Sequence, residues 1–288
     1  MNTSIEEMLK KYRADTPERK KNAVKEIMQE IILCGLSRAG FFQKAAFYGG
    51  TALRIFHGLD RFSEDLDFSL LAPDSAFDLP SFFPMLKKEV QAYGLKLDIG
   101  EKEKTKESAI KSAFLKGNTM EHILLFFPDA VPLGGISSGE VVKIRLEVDV
   151  NPPLGAHYEH RFQLLPAPYD VRLFDMPSLF AGKIHAVICR AWKNRVKGRD
   201  LYDYIFYLSR RTKVNLPHLQ ARLQDSGALK SGENLDIGKL KALLGDRFGQ
   251  IDFAAAKADV RGFLPDSRSL EVWGSDFFRQ ITADLEAE

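Results

Sequence analysis

Cysteine is scarce in this sequence, with only Cys34 and Cys189 among 288 residues. The two residues stand far apart and form no CxxC pair, which excludes a disulfide framework and the clustered ligands of a zinc site. The six histidines form no HExxH pair. We interpret both cysteines as free thiols of a reducing cytoplasm.

Long apolar runs are missing as well. No stretch approaches the ~20 apolar residues of a membrane-spanning helix. The N-terminal segment MNTSIEEMLKKYRAD is charged and has no apolar signal core. The sequence also lacks a P-loop and the HRD and DFG motifs of a protein kinase. These absences predict a cytoplasmic protein with no membrane partner and argue against a kinase.

Net charge is small, at +2, but its distribution is uneven. The segment from Lys183 to Lys213 has nine Lys or Arg and only two acidic residues. Such a stretch is typical either of a solvated helix face or of a surface that binds nucleic acid. As candidate RNA-binding residues within it we name Arg190, Lys193, Arg195 and Lys197.

Hydrophobic patterning divides the chain into two parts. In the first part, helical spacing is followed by the apolar strand AAFY, a helix in TALRIFHGL and a strand in EDLDFSLL. A further helix in LPSFFPMLKKEVQAYG precedes strands in LKLDIGEK, SAIKSAFLKG, EHILLFF and EVVKIRLEVDVN. The segment PAPYDVRLFDMP reads as a loop, and helical patterns dominate from Pro177 onward. We therefore predict an α+β fold, with a mixed sheet in residues 1–170 and a helical domain in 171–288.

Two glycines and two aspartates stand close together early in the first part. Asp65 and Asp67 are two residues apart on a predicted strand, so both carboxylates point to the same side. Two adjacent carboxylates suit a divalent cation such as Mg²⁺, which prefers oxygen ligands. Upstream, Gly49 and Gly50 allow a backbone to approach a triphosphate, and the helix that begins at Thr51 offers N–H groups to it. A polar strand face with exposed acids is the alternative interpretation.

A third carboxylate for a metal pair is available on the strand KIRLEVDVN. Glu147 and Asp149 lie on its polar face, and periodicity does not choose between them. In the helical part, Asp200 and Asp203 are neighbours one turn apart. An ion pair that positions Lys183 or Arg199 is plausible there.

The combination of these segments resembles the AbiEii/AbiGii family, the nucleotidyltransferase-like toxins of type IV toxin–antitoxin and abortive-infection systems, which include MenT-type toxins. The resemblance rests on YGGTALRIFHGLDRFSEDLDF, on KIRLEV and on AGKIHAVICRAWKNRVKGRDLYDYIFYL, from about Phe47 to Leu208. It implies a polymerase-β-like nucleotidyltransferase core followed by a helical domain. It also implies Mg²⁺ or Mn²⁺ as cofactor, a nucleoside triphosphate as substrate, a tRNA acceptor, a cognate antitoxin and growth arrest.

The resemblance also assigns roles to individual residues. Asp65 and Asp67 would bind metal together with Glu147 or Asp149, and Gly49, Gly50 and Thr51 would hold the triphosphate. Arg61 and Ser63 would frame the acidic strand at the nucleotide, Lys183 would contact nucleotide phosphate, and Asp200 and Asp203 would complete the catalytic set.

Two alternatives remain at this point. A metal-dependent glycosyltransferase also uses a DxD motif, although it needs neither the Gly-Gly-helix element nor a basic helical domain. A non-enzymatic module that binds nucleic acid or protein would not depend on Asp65 or Asp67.

Overall fold

A computed structural model describes residues 3–12, 15–101, 119–128, 141–190 and 197–288. Within these residues the chain forms seven strands and ten α-helices. The strands are β1 Ala45–Tyr48, β2 Leu66–Leu70, β3 Leu95–Glu101, β4 Thr119–Pro128, β5 Val142–Asp149, β6 Tyr158–Gln163 and β7 Tyr169–Phe174. The helices are α1 Thr3–Lys10, α2 Pro17–Arg38, α3 Gly49–His57, α4 Phe83–Ala92, α5 Met176–Cys189, α6 Gly198–Ser209, α7 Leu216–Asp225, α8 Ile237–Phe248, α9 Phe253–Arg261 and α10 Ser275–Thr282.

All seven strands join one mixed sheet in the order β3-β4-β5-β2-β1-β7-β6. Strand β2 pairs antiparallel with β1 and parallel with β5, so it is central in the sheet. Leu66, Phe68 and Leu70 are buried and Asp67 is only half-buried, as the predicted alternation requires, but Ser69 on the polar side is buried as well. The predicted α+β fold with a mixed sheet is confirmed.

The predicted loop at residues 166–177 is wrong, because its centre forms β7. Tyr169, Val171 and Leu173 alternate along β7 and are buried, which is the pattern of a half-buried strand. The flanking prolines hid this short alternation. The predicted strand SAIKSAFLKG, at residues 108–117, lies outside the described residues.

The chain forms two compact units. The first comprises Met1–Thr51, Ser63–Pro152 and Glu159–Leu173, and the second comprises Ala52–Phe62, Pro153–Tyr158 and Phe174–Glu288. The division predicted at residues 170 and 171 stays a prediction, since these units are not continuous in sequence.

Each unit has an aromatic core of its own. In the first unit, Phe68 packs against Phe41 and Phe47, with ring centroids about 5 Å apart. In the second unit, Phe180 stacks on Tyr207 at 4.6 Å, and Tyr204 is fully buried beside it. Both cysteines are free, as predicted. No helix in the described ranges combines the length and apolar character needed to cross a membrane.

Candidate active site

The first group of site residues consists of the carboxylates at β2 and β5, here called the acidic strand pair, and it lies in the first unit. Asp65 immediately precedes β2, and Asp67 lies within it. The parallel register of β2 and β5 places Asp67 opposite Glu147, and Ser69 opposite Asp149. The Asp149 carboxylate accepts a hydrogen bond of 3.0 Å from the backbone N–H of Asn151, which belongs to the turn after β5.

Arg145 connects two of these carboxylates. Its Nη1 donates to Glu147 Oε1 at 3.3 Å, and its Nε lies 3.9 Å from Asp65 Oδ1. Partial burial alone would lower the pKa of Arg145, but the charges of Asp65 and Glu147 raise it above its usual range. The sequence analysis did not single out Arg145, because its contacts with these carboxylates depend on how the strands pair.

The two glycines begin helix α3, two residues earlier than predicted. Gly49 has φ 84°, a conformation that side chains disfavour. A Cβ at this position would overlap the carboxylate of Asp67. Glycine is therefore required here for two reasons, and its absence of a side chain lets the Asp67 carboxylate lie against the first turn of α3.

Thr51 contributes to the site in a different way from the one predicted. Its side chain is fully buried, and its hydroxyl donates to the backbone carbonyl of Asp65 at 2.5 Å. A hydroxyl has a single proton to donate, so this proton is not directed at a phosphate. Nearby, Gln29 Nε2 donates to the carbonyl of Ser63 at 3.1 Å. Both bonds hold the segment that leads into β2.

The donor chemistry of the acidic strand pair fits a hard divalent cation, because carboxylate oxygens are the ligands that Mg²⁺ prefers. The four predicted metal ligands do not converge, however. In the described part of the chain, no group of three or more His, Cys, Asp or Glu side chains is placed to hold a metal ion. Asp149 lies beside Ser69, two residues further along β5 than Glu147, and Glu147 is bonded to Arg145.

A buried ion network is the second group of site residues, and it lies in the second unit. Lys183 Nζ, on α5, lies 2.8 Å from both Asp200 and Asp203, on α6. Asp203 also accepts two hydrogen bonds of 2.6 Å from Arg61. Arg190 Nε lies 3.2 Å from the other oxygen of Asp200. The predicted ion pair of Lys183 is therefore present, and it involves both aspartates.

Opposite charges overcome the cost of burial in this network. Arg61, Asp200 and Asp203 are at most 4% exposed. Burial would raise the pKa of both aspartates. The charges of Arg61 and Lys183 nevertheless hold the pKa of Asp203 below its usual range. The charges of Lys183 and Arg190 do the same for the pKa of Asp200. Burial would lower the pKa of Lys183, yet the two aspartates raise it. All the network's groups are thus charged at neutral pH.

Two sequence assignments need correction in the light of this network. Arg61 was assigned to the nucleotide, but its guanidinium is buried and its Nε and Nη2 donate to Asp203. Arg190 was assigned to RNA, but it lies beside Asp200. Arg199, the other residue for which an ion pair was suggested, has its guanidinium 4.2 Å from the centre of the Phe263 ring.

The remaining basic residues give less information. Lys193 and Arg195 lie outside the described residues. Lys197 immediately precedes α6 and is half-buried.

A glycine that sequence analysis did not single out fixes the start of α6. A Cβ at Gly198 would overlap the carbonyl oxygen of Ala256 on α9. Only glycine permits this close approach, which places Asp200 and Asp203 on a helix that is closely packed at its first residue.

Comparison with known proteins agrees with the sequence resemblance. The family model described as the nucleotidyl transferase AbiEii toxin of type IV toxin–antitoxin systems matches residues 31–280. No curated protein is similar enough in sequence to count as a relative.

Among solved structures, JHP933 from Helicobacter pylori is 17% identical, with a TM-score of 0.50 over 91% of this chain and 88% of that one. MenT4, a nucleotidyltransferase toxin from Mycobacterium tuberculosis, is 16% identical, with a TM-score of 0.49 over 100% of this chain and 99% of that one. At 17% identity the likeness to JHP933 supports the fold alone.

The family match also decides between the alternatives left by the sequence. It favours nucleotidyl transfer over a DxD glycosyltransferase and over a non-enzymatic binding module. Because the match covers most of the chain, the protein belongs to the AbiEii family of nucleotidyltransferase toxins of type IV toxin–antitoxin systems.

Proposed function

We propose that this nucleotidyltransferase uses Mg²⁺ or Mn²⁺ to transfer a nucleotide from a nucleoside triphosphate to an RNA, specifically to the end of a tRNA. The active protein is cytoplasmic and arrests the growth of the cell that produces it. A cognate antitoxin relieves this arrest, and the arrest serves abortive infection. The observation that carries the proposal is the acidic strand pair, with the Asp67 carboxylate held against the first turn of α3 at Gly49.

In this proposal Asp65 and Asp67 bind the cation, and Glu147 is the third carboxylate. The register supports Glu147 over Asp149, because Glu147 lies directly opposite Asp67. A bound divalent cation would supply activation of the attacking hydroxyl and stabilisation of the leaving pyrophosphate. Arg145 lies beside Asp65 and Glu147 in the structure, so it would have to release both carboxylates for them to hold the cation together.

The first turn of α3 binds triphosphate through its backbone. The first N–H groups of a helix have no partner within the helix, and they form the positive end of its dipole. Gly49 and Gly50 leave these groups accessible, because neither carries a side chain. Anionic phosphate oxygens are suitable acceptors for such groups.

Lys183 contributes to catalysis together with Asp200 and Asp203. An ammonium group has three N–H donors, and two of them are directed at the aspartates in this structure. The third is the donor that we propose for a nucleotide phosphate. The two aspartates then position Lys183 and keep it charged.

The RNA acceptor is supported by the basic segment from Lys183 to Lys213 and by the family resemblance. Of its four candidate RNA-binding residues, Lys193, Arg195 and Lys197 keep that proposed role. Arg190 is better explained as part of the ion network, because it lies beside Asp200.

The test is a transfer assay with each of the four labelled nucleoside triphosphates in turn. Purified protein is incubated with total RNA, purified tRNA or a protein extract, with Mg²⁺, with Mn²⁺ or with EDTA. We expect label in tRNA, dependent on the cation and abolished in Asp67→Asn. Label that enters only protein would contradict the RNA acceptor while leaving nucleotidyl transfer intact, and full activity in EDTA would contradict the metal. Induced expression of the wild type and of Asp67→Asn tests growth arrest in parallel.

A further inference from the structure

The second unit contains a cavity of about 460 Å³ that the proposed chemistry does not use. Helix α6 forms one wall, and residues 269–277 form another. Four aromatic side chains line it: Tyr202, Phe206, Trp273 and Phe277. This volume is within the range of small-molecule sites, which combine apolar walls with a few polar groups. Neither the acidic strand pair nor the ion network contributes a described lining residue.

A carboxylate and a phenol form the polar side of this aromatic cavity. Tyr202 Oη donates to Asp60 Oδ1 at 2.8 Å, and both residues line the cavity. Burial and the bond to Asp60 raise the pKa of Tyr202, so the phenol keeps its proton at physiological pH. Asp60 is exposed, and an ionised carboxylate can accept several hydrogen bonds. The cavity therefore offers an acceptor to a ligand that carries N–H groups.

A cation lies at the rim of the aromatic cavity. The guanidinium of Arg210 is exposed and lies 3.7 Å from the centre of the Phe206 ring, a cation–π arrangement. Arg211 and Lys213 follow within three residues, and both are exposed. Arg211 has φ 51°, which turns the chain directly after α6. Lys213 pairs with Glu286 at 3.6 Å, so Arg210 is the residue that places a positive charge at the rim, suited to a phosphate.

We propose that the aromatic cavity binds an unpaired base of single-stranded RNA. This inference rests on the proposed function, since it gives the RNA acceptor a docking site in the second unit. The base stacks on the aromatic walls, its exocyclic amino group donates to Asp60, and the adjoining phosphate pairs with Arg210. Single-stranded RNA is commonly bound by aromatic stacking combined with a cationic groove. A wholly apolar ligand would use neither the acceptor oxygens of Asp60 nor the charge of Arg210.

Two substitutions at the rim test the site. Arg210→Glu reverses the charge, and Val272→Trp places a bulky ring at the mouth, where Val272 is 62% exposed and the fold should tolerate it. The matched control is Arg261→Glu, the same charge change at an exposed position that does not line the cavity. Binding of a fluorescein-labelled, unstructured RNA is measured by anisotropy at one fixed salt concentration.

We expect each rim variant to raise the Kd for this RNA by about tenfold or more, which corresponds to the loss of one stacked base. The control should change the Kd by less than about threefold. Equal Kd values for the wild type and both rim variants would overturn the proposal, as would an equal loss in Arg261→Glu and Arg210→Glu.

Trp273 gives an independent readout. RNA should quench the tryptophan fluorescence of the wild type, and Trp273→Phe, which keeps an aromatic wall, should lose that part of the quenching. Quenching by a protein extract freed of RNA, with none by RNA, would overturn the proposal in favour of a peptide ligand.

These measurements also separate this proposal from the proposed function. If RNA binds and quenches Trp273 while label enters only protein, the cavity assignment stands and the RNA-acceptor claim fails. If Val272→Trp binds and modifies tRNA like the wild type, the cavity assignment fails and the acceptor claim stands.

Discussion

Replacing Arg61 with Ala should destabilise the protein and not merely weaken nucleotide binding. Arg61 is 2% exposed and directs Nε and Nη2 at the two oxygens of Asp203, each at 2.6 Å. A third bond runs from Nη1 to the carbonyl of Phe62. Without the guanidinium, the fully buried Asp203 carboxylate keeps only one of its two cationic partners, Lys183.

The expected cost follows from these contacts. Each hydrogen bond to a charged group contributes about 1.5–3 kcal/mol. Removal of one partner from a buried ion pair usually costs about 3–5 kcal/mol, because the other charge stays buried. We therefore expect Arg61→Ala to lower the free energy of unfolding of the second unit by about 3–5 kcal/mol. Arg61→Met with Asp203→Leu should recover part of the loss, since that pair leaves neither of the two charges behind.

Urea unfolding followed by tryptophan fluorescence measures this effect. Both tryptophans, Trp192 and Trp273, fall within the sequence range of the second unit. The matched control is Arg268→Ala, since Arg268 also binds an aspartate, Asp266, through Nε and Nη2, but both of these side chains are exposed. An unchanged urea midpoint in Arg61→Ala, together with a raised KM for the triphosphate, would refute the structural role and restore Arg61 to the nucleotide site.

Three further outcomes are expected. Asp67→Asn should reduce nucleotidyl transfer by about a hundredfold or more with an unchanged urea midpoint, because it removes a metal-binding charge without changing shape. Gly49→Ala should cost about 1–3 kcal/mol more stability than Gly94→Ala, since both glycines have positive φ but only Gly49 would place a Cβ on Asp67; equal losses would contradict the overlap. Because the folded-state pKa of Asp200 and of Asp203 is lowered, their contribution is complete above an aspartate's ordinary pKa of about 3.9 and declines below it. Urea midpoints from neutral pH to about pH 3 should show a decline that is smaller in the Arg61→Met, Asp203→Leu protein.

Local patterns in the sequence were sufficient to predict the elements around the acidic strand pair. The alternation of Leu66, Phe68 and Leu70 is a signal within one strand, and it placed Asp67 on the opposite face. The register between β2 and β5 was not predictable in this way. It depends on packing between segments about eighty residues apart, so the sequence alone could not choose between Glu147 and Asp149.

The contacts of the ion network were even less predictable from the sequence than the strand register. Arg61 and Asp203 are 142 positions apart, and no periodicity links them. Sequence spacing did place Asp200 and Asp203 one helical turn apart, which explains why both can contact Lys183. Long-range pairing then decided that Arg61 binds Asp203 and not a phosphate.

The three tyrosines of α6, Tyr202, Tyr204 and Tyr207, are separated by helix geometry. Successive residues are turned by about 100° around an α-helix, so Tyr202 and Tyr204 point about 200° apart. Tyr204 and Tyr207 are buried in the aromatic core of the second unit, where they cannot stack a base. Tyr202 lines the aromatic cavity. The burial of α6 therefore selects one of the three tyrosines as a candidate for contact with RNA.

The charge balance of the ion network bears on the role that we propose for Lys183 at the nucleotide. Arg61, Lys183 and Arg190 contribute three positive charges, and Asp200 and Asp203 contribute two negative ones. An isolated buried lysine would lose its proton to escape desolvation, and a lysine fully neutralised by carboxylates would not attract phosphate. A surplus of one positive charge avoids both outcomes, because the aspartates keep Lys183 protonated while the network as a whole still attracts an anion.

On this reasoning Arg190→Gln should leave the fold intact and weaken triphosphate binding, even though Arg190 need not touch the nucleotide. Unchanged triphosphate affinity in that variant, measured beside a Lys183→Met variant that loses it, would show that the surplus charge has no role.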